Sequence, residues 1–161
     1  MNAFANRPKA LPTIFVAGVA AGTLDALGAI LIYVVLPGKS SVLPIFQFIA
    51  SGAAGPRAFN GGVPMAFYGL FWHFMIAFIF AAFYYLLATR IRFLISQPTI
   101  CGIAYGAFVW LVMNFVVVPL SATPKSPFSV TLSVILVFIW HLFFVGLPIA
   151  LITARRFLGK S

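Results

Sequence analysis

The sequence has almost no acidic residues, because Asp25 is the only Asp or Glu among 161 residues and stands against ten Lys and Arg. Charged residues make up 7% of the chain and hydrophobic residues 63%, whereas a soluble globular domain carries roughly 25% charged residues. This composition excludes a soluble protein. It also argues against nucleic-acid binding, because the bases occur in ones, twos and threes between long apolar runs.

Cysteine is nearly absent as well. A single cysteine, Cys101, excludes an intrachain disulfide and a cysteine-built zinc site, and its apolar neighbours predict an inert buried thiol. The sequence shows no nucleotide-binding loop, nucleophile triad or metal-ligand spacing. We therefore expect a protein without enzymatic activity, cofactor or metal, whose first partner is the lipid bilayer.

The long apolar runs lack the alternation of polar and apolar residues that a membrane β-barrel shows, which leaves helices. Each run reaches the ~20 residues that an α-helix needs to cross a ~30 Å hydrocarbon core. The runs cover residues 11–36, 64–88, 99–120 and 129–154. The sequence thus predicts an all-α integral membrane protein in which residues 1–161 form one domain with four transmembrane helices.

The bases predict an orientation. Seven flank the ends that the two termini share, and three lie on the opposite side; the first group is Arg7, Lys9, Arg90, Arg92, Arg155, Arg156 and Lys160, and the second is Lys39, Arg57 and Lys125. The positive-inside rule places both termini in the cytoplasm of a bacterial inner (plasma) membrane. Tyr84 and Tyr85, just before Arg90, are expected in the inner belt of interfacial aromatic residues.

The outer connection, residues 37–63, is too long for a hairpin turn. Within it, Phe46, Ile49, Ala50 and Ala53 recur at helical spacing, which predicts a short helix over about residues 43–52, lying in the outer interface or folded back over the bundle. An ordinary apolar loop is the alternative. In the second outer connection, Ser126 is expected to cap the fourth helix, with Pro127 at its first position.

An internal repeat is suggested by two Trp-His pairs, Trp72-His73 and Trp140-His141, each in an even-numbered span. The preceding spans each carry a small-xxx-small motif, Gly18 with Gly22 and Gly102 with Gly106, which is typical of close helix packing. We predict two helical hairpins in parallel repeat, related by a pseudo-two-fold axis along the membrane normal.

Polar residues of all four spans are predicted to form an intramembrane layer. By the helical rise of ~1.5 Å per residue, Asp25, His73 and His141 lie ~16, ~14 and ~18 Å below the outer boundary, and Asn114 lies ~9 Å below it. Asp25 shares the face of Gly18 and Gly22, and Gly69, a fifth predicted helix-packing glycine, shares the face of His73. Because buried charge is costly, we expect an inward contact between Asp25 and a histidine.

Three functions fit this layer. The first is structural: the polar residues act as hydrogen-bonded packing pins in an accessory or interaction subunit that associates with other membrane subunits or with itself. The second is a proton-linked transporter or channel component that uses Asp25, His73 and His141. The third is an electron carrier in which His73 and His141 bind b-type haem, with space for the ring beside Gly69.

Several apolar motifs also resemble a known group of proteins. They are residues 45–52 with Gly55-Pro56, the helix around His73, residues 112–114 followed by 117–120, and residues 145–148. Together they are similar to a family of small bacterial four-helix membrane proteins, distantly YagU-like, across nearly the whole chain. This resemblance implies a location in the bacterial inner membrane, with no established activity or site residues to transfer.

Overall fold

The computed structural model describes residues 8–125 and 129–159, and within these ranges it contains helices and no strand. Four helices are long and apolar enough to cross a membrane, which confirms the all-α fold and the number of spans. In chain order the four spans and the long connecting helix are α1 (Ala10–Val35), α2 (Leu43–Ala54), α3 (Gly62–Ala88), α4 (Pro98–Leu120) and α5 (Leu132–Phe157). Two short helices, Gly55–Asn60 and Phe93–Ser96, lie in the connections. The protein is therefore a multi-pass membrane protein.

Helix α5 begins later than the sequence predicts. Residues 129–131 are not helical, and the Thr131 hydroxyl accepts a hydrogen bond from the Val134 backbone N–H at 3.3 Å, as an N-cap does. Ser126 and Pro127, the expected cap and first residue, lie outside the described residues, as do Arg7 and Lys160. The apolar run continues upstream of the cap, so its length alone did not mark the start.

Three spans contain a turn wound as a π-helix, and each such turn ends two residues before a proline. The turns are Leu31–Val35 before Pro37, Met113–Val117 before Pro119, and His141–Gly146 before Pro148. Proline lacks an N–H, and its ring crowds the carbonyl four residues earlier. A wider turn relieves that crowding, and such turns are frequent at functional sites. Asn114 and His141 both lie in them.

The four spans form a bundle in the cyclic order α1, α3, α4, α5. Helix α1 packs against α3 and α5, and α4 packs against α5. Helices α3 and α4 meet through aromatic rings: the Tyr84 and Tyr105 centroids are 4.8 Å apart, and those of Phe83 and Phe108 are 5.9 Å apart. Two hairpins, α1–α3 and α4–α5, related by a two-fold axis would produce this order.

Both described chain ends lie at one end of the bundle. The Tyr85 hydroxyl donates to the Pro8 carbonyl at 2.7 Å, and its ring lies 5.5 Å from that of Phe157. Tyr84 and Tyr85 are only 1% and 6% exposed, so they are core residues and do not form the predicted inner belt of interfacial aromatic residues. Their hydroxyls bond to backbone carbonyls inside the bundle, Tyr84 to that of Leu94, which allows both rings to be buried.

Helix α2 is a true helix, so the loop alternative is wrong, and it folds back onto α3. Its buried residues are Gln47, Ala50 and Ser51, whereas Ala53 is exposed. The predicted face is therefore rotated, because the Gln47 amide reaches the Gly62 carbonyl at 3.1 Å and is buried for that reason. The Ala122 N–H donates to the Gly52 carbonyl at 2.9 Å and ties α2 to the end of α4.

Candidate functional site

A cavity of about 200 Å³ lies between the helices of the bundle. Each span contributes one polar side chain to its wall: α1 gives Asp25, α3 gives His73, α4 gives Asn114 and α5 gives His141. The structure thus brings together all four residues of the predicted polar layer. The rest of the wall is apolar and includes Ile76, Phe80, Val109, Met113 and Val145.

The partner of Asp25 is His141. The Asp25 Oδ1 and His141 Nε2 atoms are 3.8 Å apart, and the two side chains are 29% and 12% exposed. The sequence left open which histidine would meet the acid. The sequence also did not indicate which side of its helix His141 occupies, because its neighbours at helical spacing are bulky. In the structure His141 lies at the start of a π-helical turn, and its side chain lines the cavity.

The other polar groups of the cavity bond to backbone carbonyls. His73 Nε2 lies 2.8 Å from the Gly22 carbonyl oxygen on the neighbouring helix. His141 Nδ1 lies 2.8 Å from the Val137 carbonyl oxygen, and Asn114 Nδ2 donates to that of Trp110 at 2.9 Å. A carbonyl oxygen can only accept a hydrogen bond, so both of these histidine nitrogens carry the proton.

The two Trp-His pairs share a sequence but not an environment. The Trp140 indole N–H donates to the Leu24 carbonyl at 3.0 Å, and its ring stacks on Phe144. The Trp72 indole nitrogen is buried and has no hydrogen-bond partner among the described residues. Trp140 and His73 therefore both bond to backbone carbonyls of α1, and the repeat holds for helix order but not for these contacts.

The five predicted packing glycines all lie at helix contacts. A Cβ atom at Gly18 or Gly22 would meet the rings of Phe78 or Phe74 on α3, and one at Gly102 or Gly106 would meet the backbone of α5. Sequence reasoning missed two further contact glycines. These are Gly28, which faces the Trp140 ring, and Gly146, which lies against Gly102 and Gly106. Gly28 has no small residue four positions away in its own helix, whereas Gly146 is followed by Ala150 at that spacing, a small-xxx-small signal that could have identified it.

Gly69 lies against helix α2. A Cβ atom at this position would overlap the carbonyl oxygen of Phe46. The space that the haem hypothesis reserved beside Gly69 is thus filled by the α2 backbone, and a haem ring there would require α2 to move. One turn further along α2, Ile49 forms part of the cavity wall, so this helix covers the cavity from the side of the bundle where α3 begins.

Cys101 does not line the cavity. Cys101 is a free, buried cysteine whose thiol lies 3.7 Å from the Phe93 carbonyl oxygen, in agreement with the prediction of a buried thiol. Within residues 8–125 and 129–159, no group of three His, Cys, Asp or Glu side chains could hold a metal ion.

No protein-family model, curated protein or solved structure matches this chain. The resemblance to small bacterial four-helix membrane proteins therefore stays a prediction.

Proposed function

We propose that the protein is a proton-linked transporter, or a component of such a transporter or channel, whose ionisable site is the cavity between its four spans. One observation carries this proposal: the only acid of the chain and both histidines line the cavity between the spans together with Asn114. Ionisable groups inside a membrane are costly and usually mark proton or ion pathways. Histidine is also the side chain that ordinarily changes its charge between about pH 5 and 8.

The void itself favours a working site over a packing pin. A pin would place donor and acceptor within about 3.2 Å and leave no space around them, because membrane helices associate through close packing. Asp25 and His141 are instead 3.8 Å apart at the wall of the 200 Å³ cavity. A cavity of this size has room for several waters, since each needs about 30 Å³, and the four polar side chains of its wall could bind them. Water would allow protons to move between Asp25, His73 and His141.

An accessory or interaction subunit is the second candidate, and specific contacts favour it. The His73 and Trp140 side chains each bond to a backbone carbonyl of α1, at 2.8 and 3.0 Å. Such bonds fix the order and rotation of helices. If the protein is an accessory subunit, the intramembrane polar layer around Asp25 only holds the bundle together, and the functional surface is the lipid-facing side of the bundle.

The orientation belongs to the same proposal. The described bases Lys9, Arg90, Arg92, Arg155 and Arg156 lie toward the end where Tyr85 meets Pro8 and Phe157. Their excess supports a bacterial inner-membrane protein with both termini in the cytoplasm. A reporter that is active only in the cytoplasm should be active when fused to the C-terminus, and one that is active only outside the cytoplasm should not. An extracytoplasmic C-terminus would contradict this orientation.

Proton uptake by reconstituted vesicles tests the proposed function. A K⁺ diffusion potential is imposed on proteoliposomes that contain a pH-sensitive dye, and the wild-type protein should acidify the lumen faster than protein-free vesicles do. Asp25→Asn keeps the shape of the side chain but removes its proton, so uptake should fall to the protein-free rate. The single variants His73→Gln and His141→Gln should also lower uptake, because each replaces an ionisable ring in the cavity wall with a neutral amide.

Thr23→Ser is the matched control, because Thr23 is exposed and lies two residues before Asp25 on the same helix. This variant should keep the wild-type rate. Wild-type vesicles that take up protons no faster than protein-free ones, or Asp25→Asn vesicles that keep the full rate, would leave the accessory-subunit function as the better explanation.

A further inference from the structure

The hydrogen bonds of the cavity identify the chemical class of ligand that it can hold. Three of its four polar side chains use an N–H on a backbone carbonyl: His73 on that of Gly22, His141 on that of Val137, and Asn114 on that of Trp110. In a neutral imidazole only one ring nitrogen carries a proton. When a ring is neutral, its other nitrogen is therefore an acceptor, as is the amide oxygen of Asn114.

The fourth side chain is the Asp25 carboxylate, which only accepts hydrogen bonds when ionised. Its Oδ1 atom faces His141 Nε2 at 3.8 Å, so with a neutral imidazole two acceptors stand opposite each other across a gap too wide for a direct hydrogen bond. Such a pair needs a donor between them. Either a proton on His141 or an N–H or O–H group of a ligand supplies it.

From this geometry we propose that the cavity binds a small ammonium cation, either the ammonium ion or a short primary alkylammonium, which competes with protons for the site. Four acceptors, one of them charged, match a cationic head group that carries three or four N–H donors. The apolar part of the wall, which includes Ile76, Val109, Met113 and Val145, suits a short alkyl chain. The volume of about 200 Å³ is below the ~300 Å³ at which pockets for drug-sized ligands begin.

Protons and the cation compete for this site. Protonation of His73 or His141 converts an acceptor into a donor and adds a positive charge beside the ligand. The titratable groups of the cavity wall are Asp25 of α1, His73 of α3 and His141 of α5, and Tyr33 of α1 is a further titratable group that interacts with Asp25. The other packed helices contribute neutral residues, Asn114 from α4 and Ile49 from α2. Cation binding should therefore weaken as the pH falls and either ring gains a proton.

This ligand assignment deepens the proposed function and rests on it, but a binding measurement separates the two. Purified full-length protein in detergent is dialysed to equilibrium against radiolabelled methylammonium at about pH 8 and about pH 5.5, the two sides of ordinary histidine titration. Tetramethylammonium is the matched probe, because it has the same charge and no N–H donor. Methylammonium should bind saturably at the higher pH, at least about tenfold more tightly than tetramethylammonium. The difference is expected because tetramethylammonium cannot form the charge-assisted hydrogen bonds that methylammonium forms.

Two variants show which atoms bind. Asp25→Asn should weaken methylammonium binding at least about tenfold, as the loss of one charge-assisted hydrogen bond requires. Asn114→Leu removes a neutral acceptor and should weaken it less, and it provides a second test if Asp25→Asn folds poorly. His141→Gln keeps an acceptor oxygen but cannot be protonated, so binding at the higher pH should persist while its fall at the lower pH shrinks.

Equal affinity for the two probes, or unchanged binding in both Asp25→Asn and Asn114→Leu, would overturn the ammonium site. Proton uptake by wild-type vesicles without methylammonium binding would reject this inference and leave the proposed function standing. Saturable, Asp25-dependent binding without any proton uptake would support the inference and reject the proposed function.

Discussion

Gly106→Ala should destabilise the protein by about 3 kcal/mol, at the upper end of the usual cost of overpacking. A Cβ atom at this position would overlap the carbonyl oxygen of His141, and it would also meet the Leu142 Cα atom at 2.6 Å. Neither is the movable end of a side chain, so relief requires α4 and α5 to separate. Because His141 belongs to the cavity, this separation should also disturb the site.

Two other glycines make the prediction quantitative. At Gly22 an added Cβ atom would meet the Phe74 ring at 2.8 Å, which can shift, so Gly22→Ala should cost only about 1 kcal/mol. At Gly52 the nearest atoms are 3.7 Å away, and Gly52→Ala should be neutral or stabilise by up to ~1 kcal/mol because alanine favours the helix. Unfolding in a denaturing detergent measures all three, and equal losses would contradict the packing.

The second large effect is expected from filling the cavity. Val109 is 3% exposed and forms part of the cavity wall, so Val109→Phe places a ring in space that water and a transported ion would need. We expect proton uptake to fall by more than about tenfold as that space is lost. Stability should hold or rise by about 0.5–2 kcal/mol, which is the usual result of filling a cavity.

Val16→Phe is the control for this variant, because Val16 is 38% exposed on the lipid-facing surface of α1. A larger apolar side chain at this position extends into the lipid. It should change neither quantity. An accessory subunit that acts through its outer surface predicts the reverse pattern, with Val109→Phe harmless and Val16→Phe harmful.

The sequence was informative where a single physical quantity decides the structure. Run length predicts the four spans, because the bilayer thickness sets the number of residues that a helix needs. The high cost of buried charge likewise predicted that Asp25 would meet a histidine. Glycine spacing predicted Gly102 and Gly106 as contact residues, since close helix approach excludes larger side chains.

The sequence was less informative where a hydrogen bond competes with hydropathy. Gln47 is buried because it reaches the Gly62 carbonyl, and Tyr85 is buried because it reaches that of Pro8, yet both rank as interfacial by residue type. Thr131 caps α5 within an apolar run for the same reason. Such partners are distant in sequence or depend on local backbone geometry, so periodicity alone cannot detect them.

The site was only partly predictable. Depth along each helix brought Asp25, His73 and His141 to one level, but the rotation of each helix decides which atoms meet. His141 is the first residue of a π-helical turn that ends at Gly146, two residues before Pro148, and its ring faces Asp25. Ideal α-helix geometry does not describe that turn. The cavity and the acceptor character of its wall depend on packing and on backbone hydrogen bonds, which no spacing in the sequence encodes.

Labelling with a hydrophobic carbodiimide tests most directly whether Asp25 is a working carboxyl group. The reagent reacts with a protonated carboxyl, so an adduct requires that both a proton and an apolar molecule reach the side chain in the folded bundle. Asp25 is the only side-chain carboxyl of the chain, and Asp25→Asn identifies any adduct at the C-terminus. We predict one Asp25 adduct per folded chain by peptide mass spectrometry, together with loss of proton uptake. An Asp25 that is labelled only after denaturation would contradict an accessible ionisable site and indicate a buried structural contact.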